Sequence, residues 1–380
     1  MCGHAQTGRI IDNPELQKVC ISCALITLKN LYKKTEFLNF RHFSITLGIL
    51  STLAHILNIQ AAKKPLLEIK NIKSWFPITG GILSRKIGFV RAVDGVSLHI
   101  NKGETLGLVG ESGCGKTTLG RTILGLEKAR EGEILFDGQN LLNLSGRAAR
   151  DLRRRIQIIF QDSLSSLNPR MNILDTVTDG LVEHKILYGT KEDNAKRLLK
   201  EVGLDETAVY RYPHEFSGGQ RQRINIARAL ALKPDLIVCD EPVSSLDVSV
   251  QAQVINLFVG LRDSYNLSYL FISHDLSVVS YIANRLAVMY LGRIVEYGNT
   301  EDIIKNPMHP YTKALISAVP IHGVHKPKPL ILKGEMPSSL SPPSGCRFHT
   351  RCPEVIGVCR KKEPIETTLE TRKVWCHLYH

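Results

Sequence analysis

No stretch of the 380-residue sequence stays apolar for the ~20 residues that a helix needs to cross a bilayer. The most apolar segment, residues 43–59, is shorter and carries Ser, Thr, His and Asn. It reads as an amphipathic or irregular lead-in, so any passage through a membrane falls to other chains. No secretory leader is expected either, because the N-terminus shows no basic start followed by an apolar core and a small-residue cleavage site. No segment repeats, which leaves room for one copy of the fold. Acidic residues are fewer than basic ones, 36 against 49, for a net charge of +13. Aromatics make up only 6% and do not interleave with a basic stripe, so nucleic acid is not the expected partner. Runs such as Arg147-Ala-Ala-Arg-Asp-Leu-Arg-Arg-Arg155 suit an anionic membrane surface better. Cys20-x-x-Cys23 has no second pair to complete a metal site and reads as two unrelated thiols. The remainder, 43% hydrophobic and 22% charged, is ordinary for a globular protein.

What is present is more specific. An apolar run ending at Val109 leads into Gly110, Glu111, Ser112, Gly113, Cys114, Gly115, Lys116, Thr117 and Thr118. This is a G-x-x-x-x-G-K-[ST] phosphate loop between a strand and a helix. Its glycines let successive N–H groups face the α- and β-phosphates, Lys116 reaches the β/γ oxygens, and the Thr117 hydroxyl ligates Mg²⁺. The helix that begins there adds its positive N-terminal end. About a hundred residues on come Ser217-Gly218-Gly219-Gln220, then an apolar strand ending in Asp240-Glu241, then Ser245-Leu246-Asp247, and last His274.

These motifs, in this order, resemble the ATP-binding-cassette ATPases. The resemblance implies an α/β fold, a P-loop nucleotide-binding domain with an inserted helical subdomain. It also implies roles. Asp240 holds Mg²⁺, Glu241 polarises the attacking water, and His274 contacts the γ-phosphate and tethers Glu241. Gln161 touches Mg²⁺ or the lytic water and couples to a membrane subunit, while Asp247 contributes to the nucleotide site. Ser217–Gln220 would close on the ATP of a second cassette, because the helix N-terminus they form has no phosphate loop near it in the chain. Phe76 resembles the aromatic that stacks on adenine, with Trp75 and Phe89 as competitors.

Four segments narrow the resemblance to the ATP-binding subunits of dipeptide/oligopeptide importers: residues 107–116, residues 160–171, Asn306-Pro-Met-His-Pro-Tyr-Thr-Lys-Ala-Leu315 and the tail stretch 345–353. Ser163 stands where that family usually has Pro, and Phe216 where it usually has Leu. A peripheral ATPase on the cytoplasmic face of the membrane is implied. Its partners would be a homologous second ATPase subunit, two permease subunits and an extracytoplasmic peptide-binding protein. A cassette ATPase acting on ribosomes or DNA, an exporter subunit and an importer of a nickel chelate are the alternatives. Cys346, Cys352, Cys359 and Cys376 lie in the tail with no short C-x-x-C hairpin among them. Disulfides are not expected in a cytosolic ATPase. Four thiolates suit a [4Fe–4S] cluster, as members of the family suggest, with zinc or free thiols as the other readings.

Periodicity predicts strands at 66–69, 93–100, 105–109, 156–160, 236–239, 269–272 and 286–290, and helices at 116–126, 173–184, 193–202, 219–232, 248–265 and 276–283. Alternation of this kind predicts a core of parallel strands with nucleotide at their carboxyl ends. The expected division is an extension of unknown role at 1–64, the ATPase domain at 65–300 with its helical subdomain at about 165–232, and a C-terminal Cys-containing region at 301–380.

Overall fold

The apolar run before the glycine-rich turn is a strand with all five residues buried, as a strand covered on both faces must be. A computed structural model describes residues 64–80, 85–318, 330, 332 and 334–380. The 43–59 segment, Cys2, Cys20 and Cys23 lie outside the described residues.

Two long strands, β1 (Leu67–Gly80) and β2 (Arg85–Ile100), pair antiparallel and lead into β3 (Thr105–Val109) and α1 (Lys116–Ile123). β4 (Glu131–Phe136) and β5 (Gln139–Asn140) complete a four-stranded sheet ordered β2-β1-β4-β5. α2 (Gly146–Arg155) and β6 (Ile156–Ile159) then precede a helical block of α3 (Ile173–Glu183), α4 (Lys191–Glu201) and α5 (Gly218–Ala231). The chain continues through β7 (Leu236–Asp240), α6 (Val248–Tyr265), β8 (Ser268–Ser273), α7 (Leu276–Ile282) and β9 (Arg285–Tyr290). It ends with β10 (Arg293–Asn299), α8 (Thr300–Lys305), α9 (Pro310–Ser317), β11 (Thr367–Leu369) and β12 (Arg372–Val374).

The main sheet has the order β11-β12-β10-β9-β3-β8-β7-β6. Strands β9, β3, β8, β7 and β6 run parallel, whereas β10, β12 and β11 are antiparallel. The predicted core strands are thus parallel, but the sheet is mixed, and the strands predicted at 66–69 and 93–100 belong to the separate antiparallel sheet. A tight turn at Leu291-Gly292 sends β10 straight back along β9, and β12 of the tail pairs with β10. β3 lies between β9 and β8, and the loops leaving β3, β7 and β8 open at the same end of the sheet, where α/β sheets bind ligands.

Local chemistry explains the helix starts. Asn172, Thr190, Ser217 and Asp275 each accept a backbone N–H of their own first turn, satisfying donors that the helix cannot. The basic run at 147–155 forms α2, with Leu152 its one buried residue. One buried side chain in ten residues leaves no apolar period to read. Its last residue, Arg155, donates to Asp235 at 2.6 Å and Asp137 at 2.9 Å, and the three arginines of the last turn offset the helix's negative end. The core fills both faces of the main sheet in strand alternation. Val109, Cys239, Phe271 and Val288 lie on one side; Leu108, Val238, Ile272 and Ala287 on the other.

Candidate active site

The loop after β3 curls around its own lysine. Lys116 is almost fully buried, and its Nζ donates to the carbonyls of Gly110 at 2.8 Å and Glu111 at 3.0 Å. Gly115 takes φ +111°, and a Cβ there would stand 2.0 Å from the Ala92 carbonyl oxygen. Only glycine serves at that point, both for its backbone angle and for the close approach of β2. Ser112, Gly113, Gly115, Lys116, Thr117 and Thr118 line one cleft with Gln161, Glu241 and His274. The far-apart motifs of the sequence thus meet in one place.

At the end of β7 the carboxylates divide. Asp240 is buried and accepts the Thr117 hydroxyl at 2.8 Å. Burial raises its pKa, while the Thr117 bond and the positive charge of Arg121 pull the other way. A buried carboxylate beside a threonine hydroxyl, with its charge disfavoured by burial, is a donor set that fits Mg²⁺. Glu241 turns out of the strand at φ +48°, in left-handed backbone that costs a non-glycine residue on the order of 1 kcal/mol. Its N–H donates to the Ile272 carbonyl at 3.0 Å, which ties the turn to β8. Gln161 donates its side-chain N–H to Glu241 Oε2 at 3.1 Å, and His274 Nδ1 stands at 3.1 Å from the same oxygen.

The other expected site residues lie apart from this cleft. Ser217 and Gln220 form a reciprocal cap at the start of α5, both exposed, and neither they nor Gly218 and Gly219 line the cleft. A Cβ on Gly219 would stand 2.4 Å from Val250 Cγ1, so α5 needs glycine to approach α6 there. Asp247 is the exposed residue that precedes α6. Phe76 pairs with Val90 across β1 and β2, but the cleft wall is made by Val90 and Ala92. Trp75 is occupied elsewhere: Arg91 and Arg130 lie 4.9 and 4.6 Å from its ring, and its Nε1 donates to Asp94 at 3.2 Å.

Cys346, Cys359 and Cys376 are buried, Cys352 is half-buried, and all four are free thiols. The Cys346 N–H donates to the Cys359 carbonyl at 2.8 Å. Burial pushes Cys346 and Cys352 up to about 11, and the neighbouring thiols add to the effect. Each of the four lies near the other three. Among the described residues, however, no three His, Cys, Asp or Glu side chains group tightly enough to hold a metal ion.

Residues that no motif marked also touch the phosphate loop or line the cleft. The Tyr311 hydroxyl accepts the Glu111 N–H at 2.8 Å across 200 residues of sequence, and Arg351 grips the Glu111 carboxylate across 240. Ser339 lines the cleft and accepts the Arg91 N–H through its carbonyl at 3.0 Å. Of these Tyr311 and Arg351 lay in segments that carried the resemblance, and Ser339 did not.

Comparison with known proteins agrees with the geometry. Residues 93–244 match the ABC transporter family, and residues 295–359 match the oligopeptide/dipeptide transporter C-terminal region. The oligopeptide transport ATP-binding protein AppF of Bacillus subtilis (strain 168) is 51% identical over 326 residues, which are 84% of this chain and 99% of that protein. The oligopeptide transport ATP-binding protein OppF of Salmonella typhimurium is 49% identical over 314 residues, 80% of this chain and 93% of that protein. Among solved structures, the dimeric post-hydrolysis ATP-binding cassette MJ0796 bound to ADP and Pi aligns with a TM-score of 0.54 at 27% identity, covering 62% of this chain and 98% of that one. A phosphate loop with two carboxylates at the next strand end, set in this sequence neighbourhood, leaves one assignment: the chain belongs to the ABC ATPases, among the oligopeptide and dipeptide transport ATP-binding proteins.

Proposed function

We propose that this ATP hydrolase powers import of di- or oligopeptides as a peripheral subunit on the cytoplasmic face of the membrane. The observation that carries the reading is the union, in one chain, of a complete phosphate-loop cleft with a C-terminal stretch matching that of oligopeptide/dipeptide transporters. Its partners are two permease subunits, a peptide-binding protein outside the membrane and a second, homologous ATPase subunit. The exposed Ser217–Gln220 helix start, remote from the chain's own cleft, supports the need for that second subunit. Among the described residues no helix is long and apolar enough to cross a membrane, and the net charge of +13 favours an anionic surface. Action on ribosomes or DNA and import of a nickel chelate are not favoured, since the relatives are named for oligopeptide and dipeptide transport.

Within the cleft, Lys116 exchanges its bonds to the Gly110 and Glu111 carbonyls for β/γ-phosphate oxygens. Thr117, Asp240 and Gln161 are the residues that would hold Mg²⁺, which supplies charge neutralisation on the phosphates. Glu241 takes the proton of the attacking water. Two neighbours on one oxygen, Gln161 and His274, leave the other carboxylate oxygen for that task. With Nδ1 toward Glu241, His274 keeps Nε2 for the γ-phosphate. Adenine would stack on an aromatic of the β1–β2 ribbon, Phe76 by the family pattern, and Asp247 would meet the nucleotide across the cassette interface.

The chain divides into an extension at 1–64, the ATPase domain at 65–300 with a helical subdomain at about 165–232, and a C-terminal region at 301–380. In that region Cys346, Cys352, Cys359 and Cys376 would hold a [4Fe–4S] cluster. Four soft donors close enough to raise one another's pKa support this reading. Co-expression with adjacent permease subunits tests the function as a whole. The chain should co-purify with them from membranes and show peptide-stimulated ATPase activity with the binding protein. Sedimentation with ribosomes or DNA instead would overturn the reading.

A further inference from the structure

Glu111 is held by three of its groups at once. Its N–H donates to the Tyr311 hydroxyl at 2.8 Å, its carbonyl accepts Lys116 Nζ at 3.0 Å, and its carboxylate receives both terminal nitrogens of Arg351 at 2.7 and 3.1 Å. The Arg351 side chain is only 8% exposed and that of Glu111 29%. Beneath the guanidinium, 6.0 Å away, lies the ring of Tyr290, which packs edge-on against Tyr311 and Phe348. Arg351 therefore meets Glu111 from a fixed position. A two-pronged contact of this kind sets direction as well as distance. Phosphate binding itself uses backbone N–H groups and Lys116, and makes no demand on a Glu111 side-chain partner. The residue Arg351 grips is nonetheless the one whose carbonyl parks the lysine.

We propose that Arg351, supported by Tyr290 and Tyr311, is a positioning residue for the phosphate loop. By holding Glu111 it keeps the loop in its nucleotide-binding shape, and it makes ATP affinity depend on a residue 240 positions away, next to Cys352 in the C-terminal region. A mere staple between tail and cassette would stabilise the fold without touching affinity.

The test uses the full-length chain, with steady-state ATPase kinetics and equilibrium binding of a fluorescent ATP analogue with Mg²⁺. Arg351→Met should raise KM and analogue Kd about tenfold, with a smaller fall in kcat, as expected when a distant change shifts a binding loop. Arg351→Lys should recover part of the affinity through a single point contact. Glu111→Gln should act in the same direction, and the double variant Glu111→Gln/Arg351→Met should be no worse than Arg351→Met alone. Unchanged KM in Arg351→Met overturns the proposal, as does an additive double variant. So does a uniform loss of kcat, affinity and thermal midpoint that Arg351→Lys does not relieve. Should Arg351→Met fail to fold, Glu111→Gln decides alone, and normal ATP affinity there rejects the role.

Discussion

Glu241 combines a strained backbone with a side chain tied at one oxygen to two neighbours. Strain of this sort persists only where surrounding bonds over-determine it, here the N–H bond to Ile272 and the Ser244 hydroxyl on its carbonyl at 3.0 Å. Replacing the carboxylate with an amide keeps the shape and removes the base. Glu241→Gln should therefore bind ATP normally and hydrolyse it roughly 10²-fold more slowly, with the closed two-cassette dimer accumulating. Phosphate release measured beside nucleotide binding checks both halves, and turnover within a few-fold of the parent would remove Glu241 from the role. Residues of this kind were legible in the sequence because their chemistry is tied to a short motif. Lys116, Thr117, Asp240, Glu241, His274 and Gln161 were all named from their local context and meet in one cleft or on its wall. Phe76 was less legible. Stacking depends on which face of a twisted ribbon meets the cleft, and several register shifts in β1–β2 scramble that alternation.

Among the elements, α9 shows how a buried polar group can set a pH response. His309 caps it, its Nδ1 accepting the Tyr311 N–H at 3.1 Å, with the ring almost fully buried. Burial, helped by the charge of Lys313, lowers its pKa to about 3. The unfolded chain takes up a proton near pH 6.5 that the folded chain refuses until far lower. This contribution to stability is thus whole above pH 6.5 and declines as pH falls toward 3. At about 1.4 kcal/mol per unit, pH 5 should cost about 2 kcal/mol relative to pH 7. Glu296 accepts the N–H groups of Met308 and His309, and burial raises its pKa, so the informative comparison is with His309→Asn. That variant keeps a capping acceptor and should show a flatter denaturation profile between pH 7 and 5. An equal slope in both proteins would assign the acid sensitivity elsewhere. The α9 segment carried part of the family resemblance, but nothing in its sequence distinguished a capping histidine from an exposed one. The strand β10 was not foreseen for a related reason, since a two-residue reversal leaves no periodic trace.

For the molecule as a whole, the tail is built into the cassette's sheet. β12 pairs with β10, Trp375 donates its N–H to the Val295 carbonyl at 3.0 Å, and Arg347 is bonded to Asp94 and to the Leu291 carbonyl. Burial alone would raise the Asp94 pKa, but Arg347 and Arg293 more than offset it and hold that carboxylate below its usual range. A change at the four cysteines should therefore be felt in the cassette. Protein purified without oxygen should be brown, with about four iron and four sulfide per chain. Serine at Cys346, Cys352, Cys359 or Cys376 should release the metal and lower the thermal midpoint. Cys114 and Cys239, buried in the phosphate loop and in β7, should be replaceable with no change in iron. A colourless protein with one zinc per chain would count against the cluster.

The sequence by itself determined the phosphate loop, the paired carboxylates and the helices around them. Each rests on neighbouring residues whose backbone needs and charges can be read a few positions at a time. Only the tertiary structure decided that the main sheet is mixed, that Glu111 answers to Tyr311 and Arg351, and that four distant cysteines share one neighbourhood. Those are contacts across up to 240 residues of chain. No local propensity encodes such a partner, because the contact exists only once the sheet has brought its two ends together.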